Sequence, residues 1–243
     1  MGATGIIFKR EFNAYLRLPI GYIVGAVVLF LDGVMFWAVA LRPGAGEFLS
    51  GVVLSVFFYL ASGMTTIAAV VLSLRLVAEE RQTGTQLLLD TSPVRDREIV
   101  LGKFFAALAF LSLLNVATIY MPLLVLVNGK IAIGQIVAGY AGMTLLGGAV
   151  LAIGLFGSAL SRSQLVAAAV TSVITGMFYL FWQLSEAVEY PLSRFFAALA
   201  IHQRHFVGFQ QGIFHLRDVV YYLSLTWFFL YLATRVMEAK RWE

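Results

Sequence analysis

Apolar residues fall in six runs long enough to cross a membrane, and polar residues collect between them. The runs cover 19–41, 48–74, 104–127, 131–160, 165–184 and 219–236. A spanning helix needs about 20 mostly apolar residues, so each run predicts a transmembrane helix. The fourth is long enough to tilt. Ahead of them, residues 4–18 carry Phe8, Phe12, Tyr15 and Leu16 at helical spacing, with Lys9, Arg10, Glu11 and Asn13 elsewhere on the wheel. That pattern predicts a helix lying in the headgroup region, and Pro19 permits a turn into the bilayer. Residues 185–218 are too interrupted to span and too aromatic for a solvated loop. They predict one or two short helices that dip into the outer leaflet or cap the bundle.

The polar stretch 75–103 breaks the pattern most. It holds ten charged side chains, five of each sign, where a connection between helices needs only about 2–8 residues. It predicts a docking surface for a partner outside the membrane. Leu76, Leu87, Leu88 and Leu89 offer it an apolar face, and Glu79, Glu80, Arg81, Asp90, Arg95 and Asp96 a charged rim. Gly84 supplies a backbone conformation or close approach that a side chain would block.

Composition sharpens this picture. The 243 residues are 60% hydrophobic and 12% charged, against roughly 25% charged in soluble domains, so lipid is the main solvent. The net charge of +4 is spread over membrane-flanking loops and does not indicate nucleic acid. Without cysteine there is no disulfide, thiolate metal site or cysteine nucleophile. With the N-terminus inside, twelve Lys and Arg flank the spans on the inner side and five on the outer. This bias predicts cytoplasmic termini, a cytoplasmic 75–103 loop and an external 185–218 segment.

Candidate chemistry is sparse. No GxxxxGK[ST] phosphate loop occurs, so ATP, if used, binds another chain. His202, His205 and His215 lack a convincing further ligand, and histidines at helix interfaces are the simpler account. Ser158, in FGSAL, has no histidine in any span to act as its base; a small residue there lets helices approach. The glycines of the fourth run, and Gly21 with Gly25, have the same reading. Asp32 is the only carboxylate deep inside a span, where a charge costs on the order of 3 kcal/mol. It must face water or a partner, either on a translocation path or at a helix contact. Asn115 and Gln183 pose a weaker version of the same question.

The loop resembles the first cytoplasmic loop of type-2 ABC exporter permeases. In that family an acidic pair precedes Gly-Thr, a leucine-rich turn, a proline and a Gly-Lys that opens the third span. Here these are Glu79, Glu80, Gly84, Thr85, Leu87, Leu88, Pro93, Gly102 and Lys103. KREFNAYLRLPIGYI looks like the family's elbow helix and first span. GIFHLRDVVYYLSLTWFFLYLATRVMEAKRW resembles the gliding-motility branch. Two departures stand out: Leu87 replaces a frequent glutamate, and Gln86 and Asp90 occupy usually apolar positions.

The resemblance implies an all-α half-transporter in the bacterial cytoplasmic membrane: an elbow helix, six spans, a coupling helix between spans two and three, and short external helices between spans five and six. Two like or identical subunits would pair, and an ABC ATPase would bind ATP and Mg²⁺ below them, with no cofactor in this chain. Coupling would fall to Glu79, Glu80, Arg81, Gly84, Thr85, Leu87, Leu88 and Pro93. Asp32 and Asn115 are candidates for a path on their own polarity alone, since Asp32 is not part of the family's pattern. Export is the expected activity. Two alternatives stand beside it: transmission of ATPase motion to an external accessory protein, and proton-coupled secondary transport through Asp32.

Overall fold

The computed structural model describes residues 2–41, 50–82, 84, 94–129 and 131–240. Among the described residues eleven α-helices follow one another: α1 (Ala3–Arg17), α2 (Pro19–Phe36), α3 (Ser50–Ser73), α4 (Ala78–Gln82), α5 (Asp96–Ala117), α6 (Tyr120–Asn128), α7 (Ile133–Leu160), α8 (Gln164–Ala187), α9 (Leu192–Leu199), α10 (Val207–Gln210) and α11 (Leu216–Lys240). No strand occurs among the described residues. Six stretches are long and apolar enough to cross a membrane: Pro19–Leu41, Ser50–Glu80, Asp96–Val127, Ile133–Leu160, Gln164–Ala187 and Leu216–Lys240. The expected all-α polytopic membrane protein is what the chain forms.

The sixth span, α11, outruns its apolar stretch at both ends. Its backbone groups need intrahelical partners near lipid whatever the side chains are, so Arg217, Asp218, Arg235 and Glu238 stay helical. At its far end Lys240 Nζ reaches the carbonyls of Leu160 (2.8 Å) and Ala159 (3.1 Å). A lysine of one helix thus satisfies the last carbonyls of another.

The third span is broken. Pro122 has no N–H, and its ring crowds the carbonyl four residues back. The chain tightens into three-residue bonds, Thr118 N to Asn115 O (3.1 Å), Ile119 N to Val116 O (3.0 Å) and Met121 N to Thr118 O (3.0 Å). It then resumes as α6.

Helix α7 is the central pillar, packed against α3, α5, α8 and α11. All its glycines but Gly134 meet neighbours inside the subunit. A Cβ on Gly154 would fall on Ser73, and one on Gly157 on the Thr171 hydroxyl, so α3 and α8 both lie almost on the α7 backbone.

At the end of the bundle opposite both termini, residues 188–215 fold back into it. Ile201 N donates to Phe178 O, and the Tyr222 hydroxyl to Ile201 O at 2.7 Å. His202 Nε2 lies 2.7 Å from the Ser62 hydroxyl. Gln135 Nε2 is 3.0 Å from Gly51 O, Ser55 Oγ and Gln210 O, joining α7, α3 and α10. The expected short helices are present as α9 and α10. The segment between them reaches down against α3 beside buried His202 and Phe206. No group of three or more His, Cys, Asp or Glu side chains suits a metal among the described residues.

The N-terminal helix turns sharply into the first span. Leu18 is extended (φ −85°, ψ 147°) and Pro19 starts α2. The turn is so tight that a Cβ on Gly21 would overlap the Tyr15 carbonyl oxygen. Gly21→Ala is therefore expected to destabilise the protein by at least the roughly 1–3 kcal/mol of an overpacked site. Gly176→Ala, where a Cβ meets nothing within 4 Å, is expected to be neutral or stabilising, since alanine favours helix. Thermal unfolding in detergent checks both; equal melting temperatures for the Gly21 variant and wild type would contradict the tight turn.

Candidate functional site

The site lies where α1, α4 and the starts of α5 and α8 meet the ends of α3 and α7, at the end of the bundle carrying both termini. It is built around Lys103. A Cβ on Gly102 would lie 2.8 Å from Ile7 Cβ and 3.0 Å from Thr4 O. Glycine therefore lets α1 cross α5 at close range, and the next residue sends its side chain into the crossing. Lys103 is 1% exposed. Its ammonium donates to Glu80 Oε1 (2.8 Å) and Glu11 Oε1 (3.1 Å). Arg10 joins both carboxylates, at 2.5 Å from Glu11 and 3.0 Å from Glu80. Among the described residues, Arg10, Glu11, Glu80 and Lys103 of α1, α4 and α5 thus meet, two charges of each sign. Burial works to raise the Glu11 pKa, but Lys103 and Arg10 outweigh it and hold the carboxyl below its ordinary value.

The start of α4 is held by Ser158. Its hydroxyl oxygen accepts from Ala78 N (2.9 Å) and Val77 N (3.1 Å). These are N–H groups a helix start leaves without intrahelical partners, so a side chain of α7 caps a helix eighty residues away. Leu76, Val77 and Ala78 are buried beside it. Arg75 grips Glu79 through two bonds of 2.6 and 3.0 Å. Beyond α4, Gly84 has φ +72°, in the left-handed region that disfavours other residues. Arg95 N donates to Glu98 Oε2 at 3.1 Å and starts α5.

Several expectations change here. Leu76, read as part of an exposed apolar face, is a core residue. Glu80 and Asp96, read as rim charges, are turned inward: Glu80 onto Lys103, and Asp96 to 8% exposure. The amphipathic pattern showed that one side of this stretch is apolar but not whether a partner or the bundle covers it. Thr85, Leu87, Leu88, Pro93 and the Arg81 side chain lie outside the described residues, as do Leu89 and Asp90.

Asp32 and Asn115 lie apart from this site, between helices of one subunit. Asp32 is 2% exposed, and neither its Oδ1 nor Asn115 Nδ2 has a hydrogen-bond partner among the described residues. Asn115 Oδ1 accepts from Thr65 at 3.1 Å, and Thr118 Oγ1 meets the Tyr140 hydroxyl at 2.9 Å beside the break in the third span. Gln183 is exposed.

Sequence reasoning missed two roles. Ser158 was read as packing, although a hydroxyl at the end of a glycine-rich helix is a candidate cap for a neighbour. Lys103 entered only as half of a motif, although an ammonium inside an apolar run must find carboxylates.

Lys103→Met removes the cation between two carboxylates and is expected to cost about 3–5 kcal/mol. Adding Glu80→Gln should restore part of the loss, and a fully stable Lys103→Met protein would contradict the cluster. Glu11 also sets a pH dependence. Its folded pKa is lowered, so its stabilisation is fully present above the unfolded value near 4.5 and is lost as pH falls through the folded one. Melting temperature against pH should drop below about pH 4.5, and Glu11→Gln should flatten that drop. An unchanged slope in the variant would remove Glu11 as its source.

A comparison with curated proteins returned no match. A family model described as "ABC-2 family transporter protein" matches residues 6–241. Nearly the whole chain is covered, including α1, the tied α4 and all six spans, and the protein belongs to the ABC-2 transporter family as a multi-pass membrane subunit.

Proposed function

We propose that this chain is the permease half of an ATP-driven exporter in the bacterial cytoplasmic membrane, with both termini inside. Two such subunits, identical or similar, pair in the bilayer, and separate ABC ATPase subunits supply ATP binding and hydrolysis. Residues of α4 and the following 83–93 dock on the ATPase, and α1 is the elbow helix. The observation that carries this reading is the double anchoring of α4. Ser158 fixes its start to α7, and Lys103 fixes Glu80 to α5 and α1. A helix so held transmits a push as movement of the bundle instead of bending away from it.

For Asp32 and Asn115 to line a path, α2 and α5 must part, because both groups are buried within one subunit. A second reading, mechanical work on an external partner, draws on a different observation. The segment 188–215 is bonded to α3, α7, α8 and α11, so it moves with the bundle. The gliding-motility branch, whose similarity lies in the last helix, suits that reading.

Gly84→Val forces a β-branched residue into a left-handed conformation. It is expected to leave an inserted permease that no longer retains its ATPase on purification. Ser158→Ala removes only the cap, about 1 kcal/mol, and is expected to keep the ATPase bound while weakening stimulation of ATP hydrolysis by the permease. Wild-type ATPase retention by Gly84→Val would move the docking surface elsewhere. ATP-dependent uptake into inverted vesicles separates export from mechanical work.

A further inference from the structure

Two of the basic residues that depart from the inner-side bias converge in one pocket at the end of the bundle opposite the termini. The pocket, about 460 Å³, is lined by Trp182 of α8, Gln203, Arg204, Gly208, Gln211, His215 and Arg217, with Asp218 at its base. Its size falls within the range of roughly 300–1,000 Å³ typical of small-ligand sites.

The charge of this pocket follows from hydrogen-bond geometry. Asp218 is its only carboxylate and is buried. Its Oδ1 lies 2.7 Å from His205 Nδ1, and His205 Nε2 lies 3.1 Å from the Ala198 carbonyl. His205 thus lies between the carboxylate and the carbonyl, with the donor at each nitrogen set by its tautomer. Arg217 Nε donates to Asp218 at 3.2 Å, which steadies the guanidinium and leaves its outer nitrogens for a ligand. Arg204 has no ion pair among the described residues. The pocket therefore sets two guanidiniums against one carboxylate, with the donors of Trp182, Gln203 and Gln211 around them.

We infer that this pocket binds a phosphate group, and that the phosphate belongs to an anionic phospholipid of the adjoining leaflet. Two guanidinium forks match phosphate oxygens through paired, charge-assisted hydrogen bonds. The lipid source is argued from the rim. Ile213, which lines the pocket, and Phe214 and Leu216 close to it in the chain are 47%, 55% and 76% exposed, just before and at the start of a spanning helix. A soluble phosphate compound would need no such apolar rim. This inference is independent of the ATPase reading and of which side the pocket faces.

Native mass spectrometry of the full-length permease, exchanged into detergent with phosphatidylglycerol or phosphatidylcholine, tests it. Selective retention of phosphatidylglycerol is expected. It should weaken about tenfold in Arg204→Gln and in Arg217→Gln, the order that loss of one charge-assisted contact produces. Arg204→Gln touches no ion pair, so its fold is not at risk. Arg194→Gln, whose guanidinium lies over Tyr190 outside the pocket, should retain the lipid. Glycerol 1-phosphate at millimolar concentration is the soluble arm. Arginine-dependent binding of that compound without retention of the lipid would overturn the lipid source. Retention of phosphatidylglycerol indifferent to both arginines, or no binding of either compound, would overturn the site.

Discussion

A lysine ammonium buried at 1% exposure, at the start of a membrane-spanning helix, constrains everything around it. Removing such a charge from water costs several kcal/mol unless carboxylates and hydrogen bonds replace the water. Lys103 draws its carboxylates from two segments far apart in the chain, Glu11 of α1 and Glu80 of α4. Satisfying one charge therefore sets where α1 crosses and where α4 sits. Gly102 makes the crossing close enough, and Arg10 balances the second carboxylate. The remaining freedom of α4 is taken up by the Ser158 cap on α7. The same central helix is bonded through Gln135 to the opposite end of the molecule.

This arrangement joins the ends of the protein mechanically. The membrane interior supplies no strong hydrophobic drive between helices, so close backbone approach and a few polar ties carry the specificity. Both are concentrated on α7. Its glycines let Ser73 and Thr171 press against the backbone, its Ser158 reaches α4, and its carbonyls take Lys240. Through Ser158, α4 is thus tied to the helix that packs against α3, α8 and α11.

Much of the fold was legible because lipid imposes a coarse rule on sequence. The run at 19–41 matches the span Pro19–Leu41, and that at 131–160 matches Ile133–Leu160 to within two residues at its start. The break at Thr118 was signalled by Pro122, but hydropathy smooths over a single proline in an apolar run. The site was legible as a location and not as a set of contacts. Motif spacing identified the loop, yet Glu80 and Leu76 turned inward. A charge or a leucine on an amphipathic stretch does not say which neighbour will cover it. The neighbours that take Glu80 are Lys103 of α5, twenty-three residues on, and Arg10 of α1, seventy residues back.

If α4 is held to its bundle as described, and two such subunits couple to ATPases as proposed, α4 moves with its own bundle when the ATPases close. Paired cysteines are readily introduced into this cysteine-free chain. Spin labels at Gln82 on α4 and Arg162 just past α7 would report their distance by double electron–electron resonance in the assembled complex, with and without ATP under non-hydrolysing conditions. The account predicts one narrow, nucleotide-independent distance within a subunit, while the Gln82-to-Gln82 distance between subunits changes. An intrasubunit distance that shifts or broadens on ATP binding would show α4 moving apart from its bundle and contradict it.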